Sequence, residues 1–189
     1  MSSARTYSVE EYLRLERETG ERFAYFNGTL HKMAGGSIAH NRICRNVLGL
    51  LFAALQQQTD FEIFGSDQKI YLPKYRFYVY ADVVVVAGTP VQTDDMTDAL
   101  TNPLLIIETL SASTEHYDLG QKFLEYQSLP SFREYVLLRQ DLPEALLFFR
   151  EAPDVWRSSE ATGLEGELTF RSIGVTLAMQ AAYDRVEFS

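Results

Sequence analysis

Two apolar runs that each contain a single acid constrain this chain more than any other feature. The first, YADVVVVAG, carries Asp82 at its start, and the second, LLIIETL, carries Glu108 inside it. Four consecutive valines, Val83 to Val86, read as a central strand covered on both faces. A carboxylate embedded in such a run is expensive unless it is paired, hydrogen-bonded or bound to a metal. If the two strands are neighbours, both acids can face one point. Two readings follow. In one, each acid sits half solvated at a strand end with a local salt bridge. In the other they form a hard-cation site, since Mg²⁺ is held by one or two carboxylates together with waters and phosphate oxygens. Such an ion polarises a phosphoryl group and acidifies a bound water.

Around these runs the pattern moves between helical and strand periods. Ser8 and Glu11 have capping-box spacing ahead of VEEYLRLERE, which predicts a first short helix. FAYFNGTLHKM centres Asn27-Gly28 between two period-two runs, the pattern of a tight hairpin. Gly35-Gly36-Ser37 opens a long helix whose Ile43, Val47, Leu50, Leu51, Ala54 and Leu55 recur at helical spacing. Strand-like runs follow at FEIFG, at QKIYL and from Tyr75 to Gly88, then a polar loop over 88–103, then LLIIETL. The break SASTEHYDLGQ leads into a helix at KFLEYQSL ended by Pro130. REYVLLRQ and EALLFFRE read as a hairpin about Gln140-Asp141, and shorter strands near Trp156 and ELTF complete the chain. The expectation is a mixed α/β (α+β) fold in one domain over residues 1–189, with a central sheet, flanking helices, and an N-terminal helix and β-hairpin.

Of the 189 residues 46% are apolar and 23% charged, enough for one sizeable core without metal or disulfide staples. Lys and Arg total 17 against 26 Asp and Glu, a formal charge of -9. That sign opposes simple phosphate-backbone binding, which relies on lysines and arginines displacing counterions, and it opposes adhesion to an anionic membrane. Cys44 is the only cysteine, so neither an intrachain disulfide nor a Cys-pair zinc cluster can form. The first residues lack a basic segment followed by an apolar run, and no stretch nears the roughly 18 apolar residues of a membrane helix. A cytoplasmic protein is expected.

Beyond Glu108, the side chains of Ser111, Ser113, Thr114, Asp118 and Lys122 supply polar groups on a loop and a helix start. Lys122 follows Asp118 by one helical turn, so both can point the same way. A lysine beside a metal stabilises charge building on phosphorus or orients the attacking water. The plainer reading is an exposed helix lysine paired with Asp118. His31 and His116 lack a spacing suited to zinc with His40 and read as surface residues. Gly35-Gly36-Ser37 lacks the lysine of a phosphate-binding loop, and Ser111 lacks the G-x-S-x-G elbow of a hydrolase triad. Tyr75, Phe77, Tyr78 and Tyr80 read as alternating strand aromatics, with stacking on an unpaired base as the alternative.

The combination of YFNG, MAGGSIAHNRI, YADVVVV and IIETLSASTEHYDLGQKFLEYQSLPSFREYVLL resembles the "putative restriction endonuclease" family of the PD-(D/E)xK nuclease-like superfamily, over residues 8–150. The resemblance implies a restriction-endonuclease-like fold and a Mg²⁺- or Mn²⁺-dependent endonuclease that hydrolyses phosphodiester bonds in nucleic acid, with DNA as partner. It implies Asp82 and Glu108 as metal ligands, Lys122 as the third catalytic residue, and Ser111, Thr114, Asp118 and His40 in support. The family's Glu-x-x-Ser-x-x-Thr stretch matches Glu108, Ser111 and Thr114, and its Pro-Asp becomes Ala81-Asp82. The superfamily's lysine two residues after the glutamate is replaced by Leu110, and Lys122 takes its place on the following helix. His40 matches a histidine near the start of the long helix, where it either reaches a phosphate or makes a local hydrogen bond. Members commonly carry a glutamate four residues before the hairpin glycine; here that residue is Ala24, and Asn27 stands where an aspartate is usual. Glu21, three residues before Ala24, would point to the other face of the strand.

Three functional classes remain open. The first is a metal-dependent nuclease. The second is a non-catalytic nucleic-acid-binding or regulatory module, motivated by Ala24, Ala81 and the charge of -9. The third is a hydrolase of a small phosphorylated molecule, which a narrow closed pocket over Glu108 would favour. The long helix and the aromatic strands carry surplus apolar surface, which predicts a homodimer, and no membrane association is expected.

Overall fold

The computed structural model describes residues 5–33, 35–93, 98–111 and 114–188. Ser113 and residues 94–97 of the expected polar loop lie outside them. Helix α1 (Val9–Thr19) begins at the capping box: the Ser8 hydroxyl accepts from the Glu11 amide at 3.1 Å, and the Glu11 carboxylate accepts from the Ser8 amide at 2.9 Å. Strands β1 (Phe23–Phe26) and β2 (Thr29–Lys32) pair Phe26 with Thr29 across Asn27-Gly28, whose φ angles are 47° and 100°. A Cβ on Gly28 would also run into the Thr6 side chain. Helix α2 (Ile38–Leu55) is capped by Ser37 and buries Ile43, Val47, Leu51 and Leu55. That stripe is narrower than the periodicity predicts, since Leu50 is half-buried and Ala54 exposed.

Strands β3 (Phe61–Gly65), β4 (Lys69–Leu72), β5 (Phe77–Tyr80), β6 (Val83–Ala87) and β7 (Pro103–Leu110) follow. The run from Tyr75 to Gly88 is therefore two strands in two sheets. Strand β5 belongs to a four-stranded antiparallel sheet, ordered β2-β1-β5-β4, while β6 enters a larger one. The chain crosses between them at Ala81-Asp82, where the Asp82 carboxylate bonds to the backbone of β7.

The crossover after β7 is helical from Glu115 onward, earlier than the expected start at Lys122. It comprises α3 (Glu115–Tyr117), a π-helical turn (Asp118–Lys122) and α4 (Phe123–Tyr126). Strands β8 (Glu134–Arg139), β9 (Glu144–Ala152) and β10 (Val155–Thr162) complete a six-stranded sheet ordered β10-β9-β8-β7-β6-β3. Its neighbours β7 and β8 are parallel and its other pairs antiparallel. The parallel pair needs a long connection, and the helical segment supplies it. Strands β11 (Glu167–Phe170) and β12 (Val175–Ala178) form a C-terminal hairpin, followed by α5 (Met179–Ala182), a helix the sequence pattern did not suggest.

The central strands β6, β7 and β8 are buried on both faces, as the valine run predicts. Val83, Val85, Leu105, Ile107, Val136 and Leu138 pack under α2, the C-terminal hairpin and α5. On the other face Val84, Val86, Ile106, Leu110, Tyr135 and Leu137 meet Tyr126, Leu129 and Phe132, together with Ile70, Leu72 and Val79 of the smaller sheet. Alternation along β7 puts Glu108 on the face of Ile106 and Leu110, and Thr109 on the face of α2. Tyr78 packs tilted against Tyr12 and edge-on to Tyr25 in a third cluster, which makes it a packing residue. Glu16 fastens α1 to the smaller sheet through Lys69 Nζ at 2.7 Å and the Tyr80 hydroxyl at 3.0 Å.

Candidate active site

The site lies where the β6–β7 pair ends. Val83 is paired with Ile107 in the antiparallel register, so the preceding residue, Asp82, stands across from Glu108. Asp82 Oδ2 accepts from the Thr109 amide at 2.7 Å, and His40 Nε2 stands 3.1 Å from the same oxygen. The His40 ring therefore meets a carboxylate on another element, in addition to a local contact on its own helix. This bond raises the His40 pKa, against the effect of burial.

Glu108 Oε1 accepts from the Tyr126 hydroxyl at 3.1 Å and lies 2.7 Å from Lys122 Nζ. Lys122 Nζ is also 3.3 Å from Asp118 Oδ1. Glu108 is 5% exposed, Asp118 4% and Lys122 8%, so Lys122 is not the exposed helix lysine that the sequence left open. The π-helical turn turns both Asp118 and Lys122 inward, and such widened turns recur at functional sites. The Tyr135 hydroxyl donates to the Asp118 carbonyl within it, at 3.2 Å. Burial pushes the Glu108 pKa up to about 8; Lys122 opposes this, and the charges of Asp118 and Asp82 add to it. Burial draws Lys122 down, but Glu108 and Asp118 outweigh it and keep the ammonium protonated.

Asp82, Glu108, Asp118, Lys122 and His40 thus form one cluster drawn from four parts of the chain: α2, the β5–β6 junction, β7 and the π-helical turn. Ser111 and Thr114 bind each other, Oγ to Oγ1 at 3.0 Å, on the turn before α3. Thr114 lines a cavity of about 450 Å³ beside the cluster, whereas Ser111 lines a separate groove near Glu115 and Arg139. The cavity has mostly apolar walls, among them Phe26, Phe77 and Tyr117, and Asp118 and Lys122 open onto it. Ala24 lies in the same wall, opposite His31 on the hairpin. Glu21 instead pairs with Lys32 at the hairpin rim.

Two further residues join the cluster. Tyr126 follows Lys122 by one turn, and Cys44 follows His40 by one turn on α2; that i,i+4 spacing was the available signal for both. Cys44 Sγ stands 3.5 Å from His40 Nδ1 and 3.3 Å from Thr109 Oγ1. Burial pushes its thiol up to about 12, and the Asp82 charge adds to the shift. The bonds described use Oδ2 of Asp82 and Oε1 of Glu108, and both groups are oxygen donors. The all-oxygen character of that pair fits Mg²⁺ or Mn²⁺.

Known proteins resemble this chain along most of its length. A protein of Synechocystis sp. that carries no functional name is 32% identical over 170 residues, covering 90% of this chain and 96% of its own. A second from the same organism is 33% identical over 181 residues, covering 96% and 93%. A crystal structure from Anabaena variabilis, described as a putative nuclease belonging to DUF820, superposes with a TM-score of 0.74 at 13% identity. It covers 94% of this chain and 97% of that one, so the two share a fold. Residues 9–180 match the model of the Uma2 family, whose description is "Putative restriction endonuclease". With that match across the sheet, the carboxylate cluster and the crossover helix, the chain belongs to the Uma2 family.

Proposed function

We propose that this protein is a cytoplasmic, homodimeric, metal-dependent endonuclease that hydrolyses phosphodiester bonds in DNA. The observation that carries this reading is the buried Glu108–Lys122–Asp118 cluster, with Asp82 at the register position opposite Glu108 and its charge acting on that acid. Asp82 and Glu108 hold Mg²⁺ or Mn²⁺, and when bound there the ion supplies positive charge to the phosphoryl oxygens and a more acidic water. Asp82 is kept in place by the Thr109 amide, and Glu108 by the Tyr126 hydroxyl. The Lys122 ammonium, opening onto the cavity, stabilises negative charge that builds on the phosphoryl group. His40 orients Asp82 from α2, and Asp118 holds Lys122 charged. Thr114 and Ser111 shape the turn at the mouth of the site. Among the described residues no helix is long and apolar enough to cross a membrane.

Plasmid nicking in Mn²⁺ tests the reading. Activity of the native protein that vanishes in Asp82→Ala supports it, and nicking that survives the substitution overturns it. Ala24 favours a second reading. A family glutamate at that position would stand in the cavity wall beside Lys122, and its absence suits a non-catalytic module that binds nucleic acid through the same fold. Binding of DNA without cleavage in Mn²⁺ selects that reading. A monomeric mass by light scattering removes the dimer.

A further inference from the structure

We infer that His40, Cys44 and Asp82 form a site for a thiophilic divalent cation, Zn²⁺, and that an ion held there withdraws Asp82 from the hard-metal pair. His40 and Cys44 stand one turn apart on α2 and project from the same face, toward the point where the chain enters β6. One imidazole nitrogen, the thiol sulfur and one carboxylate oxygen all lie within 4.8 Å of one another. Zn–S bonds of about 2.3 Å and Zn–N bonds of about 2.0–2.1 Å place tetrahedral donors about 3.3–3.6 Å apart, so closing the site takes shifts of about 1 Å. His40 Nδ1 already stands 3.5 Å from Cys44 Sγ and His40 Nε2 3.1 Å from Asp82 Oδ2, so an ion takes one of the two nitrogens and opens the contact made by the other.

The donor set distinguishes this position from the Asp82–Glu108 pair. Thiolate and imidazole select zinc-like ions, whereas carboxylates and water suit magnesium and manganese. Three protein ligands leave the fourth tetrahedral position to water, the arrangement of an open zinc site. Binding is balanced by protons: the S–H bond breaks as the S–metal bond forms, and the proton leaves to solvent. His40 likewise releases any proton on the nitrogen that coordinates. Thr109 braces two of the ligands at once, with its hydroxyl 3.3 Å from Cys44 Sγ and its amide 2.7 Å from Asp82 Oδ2. Outer contacts of this kind orient metal ligands.

The regulatory half of the inference rests on the proposed nuclease reading, because Asp82 is common to both sites. It makes Zn²⁺ an inhibitor of cleavage supported by Mn²⁺. Titration of the full chain with Co²⁺, a spectroscopic substitute for Zn²⁺, reads the site directly. The expected result is a thiolate-to-cobalt charge-transfer band that saturates at one equivalent, disappears on addition of Zn²⁺, and is retained in Glu108→Gln. It is lost in Cys44→Ala and equally in Cys44→Ser, which keeps the side-chain volume and guards against a folding defect in the first variant. Absence of the band in the native protein, or its survival in either cysteine variant, overturns the site. In Mn²⁺-supported nicking, Zn²⁺ suppresses the native protein and spares Cys44→Ala. Equal inhibition of both overturns the regulatory half. A native protein that nicks nothing removes the nuclease reading and with it that half, while the cobalt spectrum still decides the site.

Discussion

Asp82 Oδ2 accepts the Thr109 amide proton at 2.7 Å, which ties the acid at the crossing between sheets to the strand that carries Glu108. Asp82→Ala leaves that amide without its acceptor and is expected to destabilise the fold by about 1–3 kcal/mol. Asp82→Asn keeps an oxygen acceptor and is expected to cost less than about 1 kcal/mol while still abolishing nicking. Urea unfolding beside the plasmid assay separates the structural part of Asp82 from its proposed metal role.

Lys122 Nζ bridges two buried acids, at 2.7 Å from Glu108 and 3.3 Å from Asp118. Above about pH 8, where Glu108 is ionised, Lys122→Met strands two carboxylates and is expected to cost about 3–5 kcal/mol. Adding Glu108→Gln removes one of the stranded charges, so the double variant should recover part of the loss. A double-mutant cycle measures this, and additive losses would contradict the coupling.

The native fold holds the Glu108 pKa at about 8, against an ordinary carboxyl value of 4.5. A raised acid favours the proton in the folded state, so its contribution to stability is greatest below the unfolded value and is lost as pH rises from 4.5 to about 8. Lys122 is raised as well, and its contribution is lost only above its ordinary value of 10.5, outside that window. Unfolding free energy of the metal-free protein should therefore fall across neutral pH, and Glu108→Gln should flatten the slope.

Glu134 opens β8 and fastens the turn of the C-terminal hairpin. Its carboxylate accepts from the Arg171 amide at 2.9 Å, the Ser172 amide at 2.8 Å and the Ser172 hydroxyl at 2.7 Å. Burial raises its pKa while these donors act against the shift. Glu134→Ala is expected to cost about 2 kcal/mol, because two turn amides lose their acceptor. Hydrogen exchange should show the loss concentrated at Arg171 and Ser172.

Ala24 stands in the cavity wall onto which Lys122 and Asp118 open. Ala24→Glu is expected to lower the Mn²⁺ concentration needed for half-maximal nicking, by adding a carboxylate beside the proposed metal pair. An unchanged Mn²⁺ dependence would show that the position takes no part in metal binding.

The features legible in the sequence are those written at short range. Ser8 with Glu11, Asn27-Gly28, and the valine run each announce their structure within a few residues, and the acids Asp82 and Glu108 stood out because burial makes them expensive. Other features depend on partners far along the chain. The break between β5 and β6 follows from Asp82 reaching Thr109, 27 residues on. His40 finds its acceptor on another element altogether. The burial of Lys122 requires a widened helical turn braced by the Tyr135 hydroxyl, a contact no local periodicity encodes. A single cysteine makes neither a disulfide nor a paired-cysteine cluster, and the link of Cys44 to His40 is written only in their i,i+4 spacing.

The widened turn from Asp118 to Lys122 makes the site a matter of counting as well as chemistry. Successive residues of a regular helix are rotated by about 100° about its axis. Deleting Gly120 would let the segment relax to an ordinary helix and swing Lys122 away from Glu108, though every side chain named in the cluster would still be present. Insertions and deletions between Thr114 and Phe123 would thus alter the site without touching any of its named side chains.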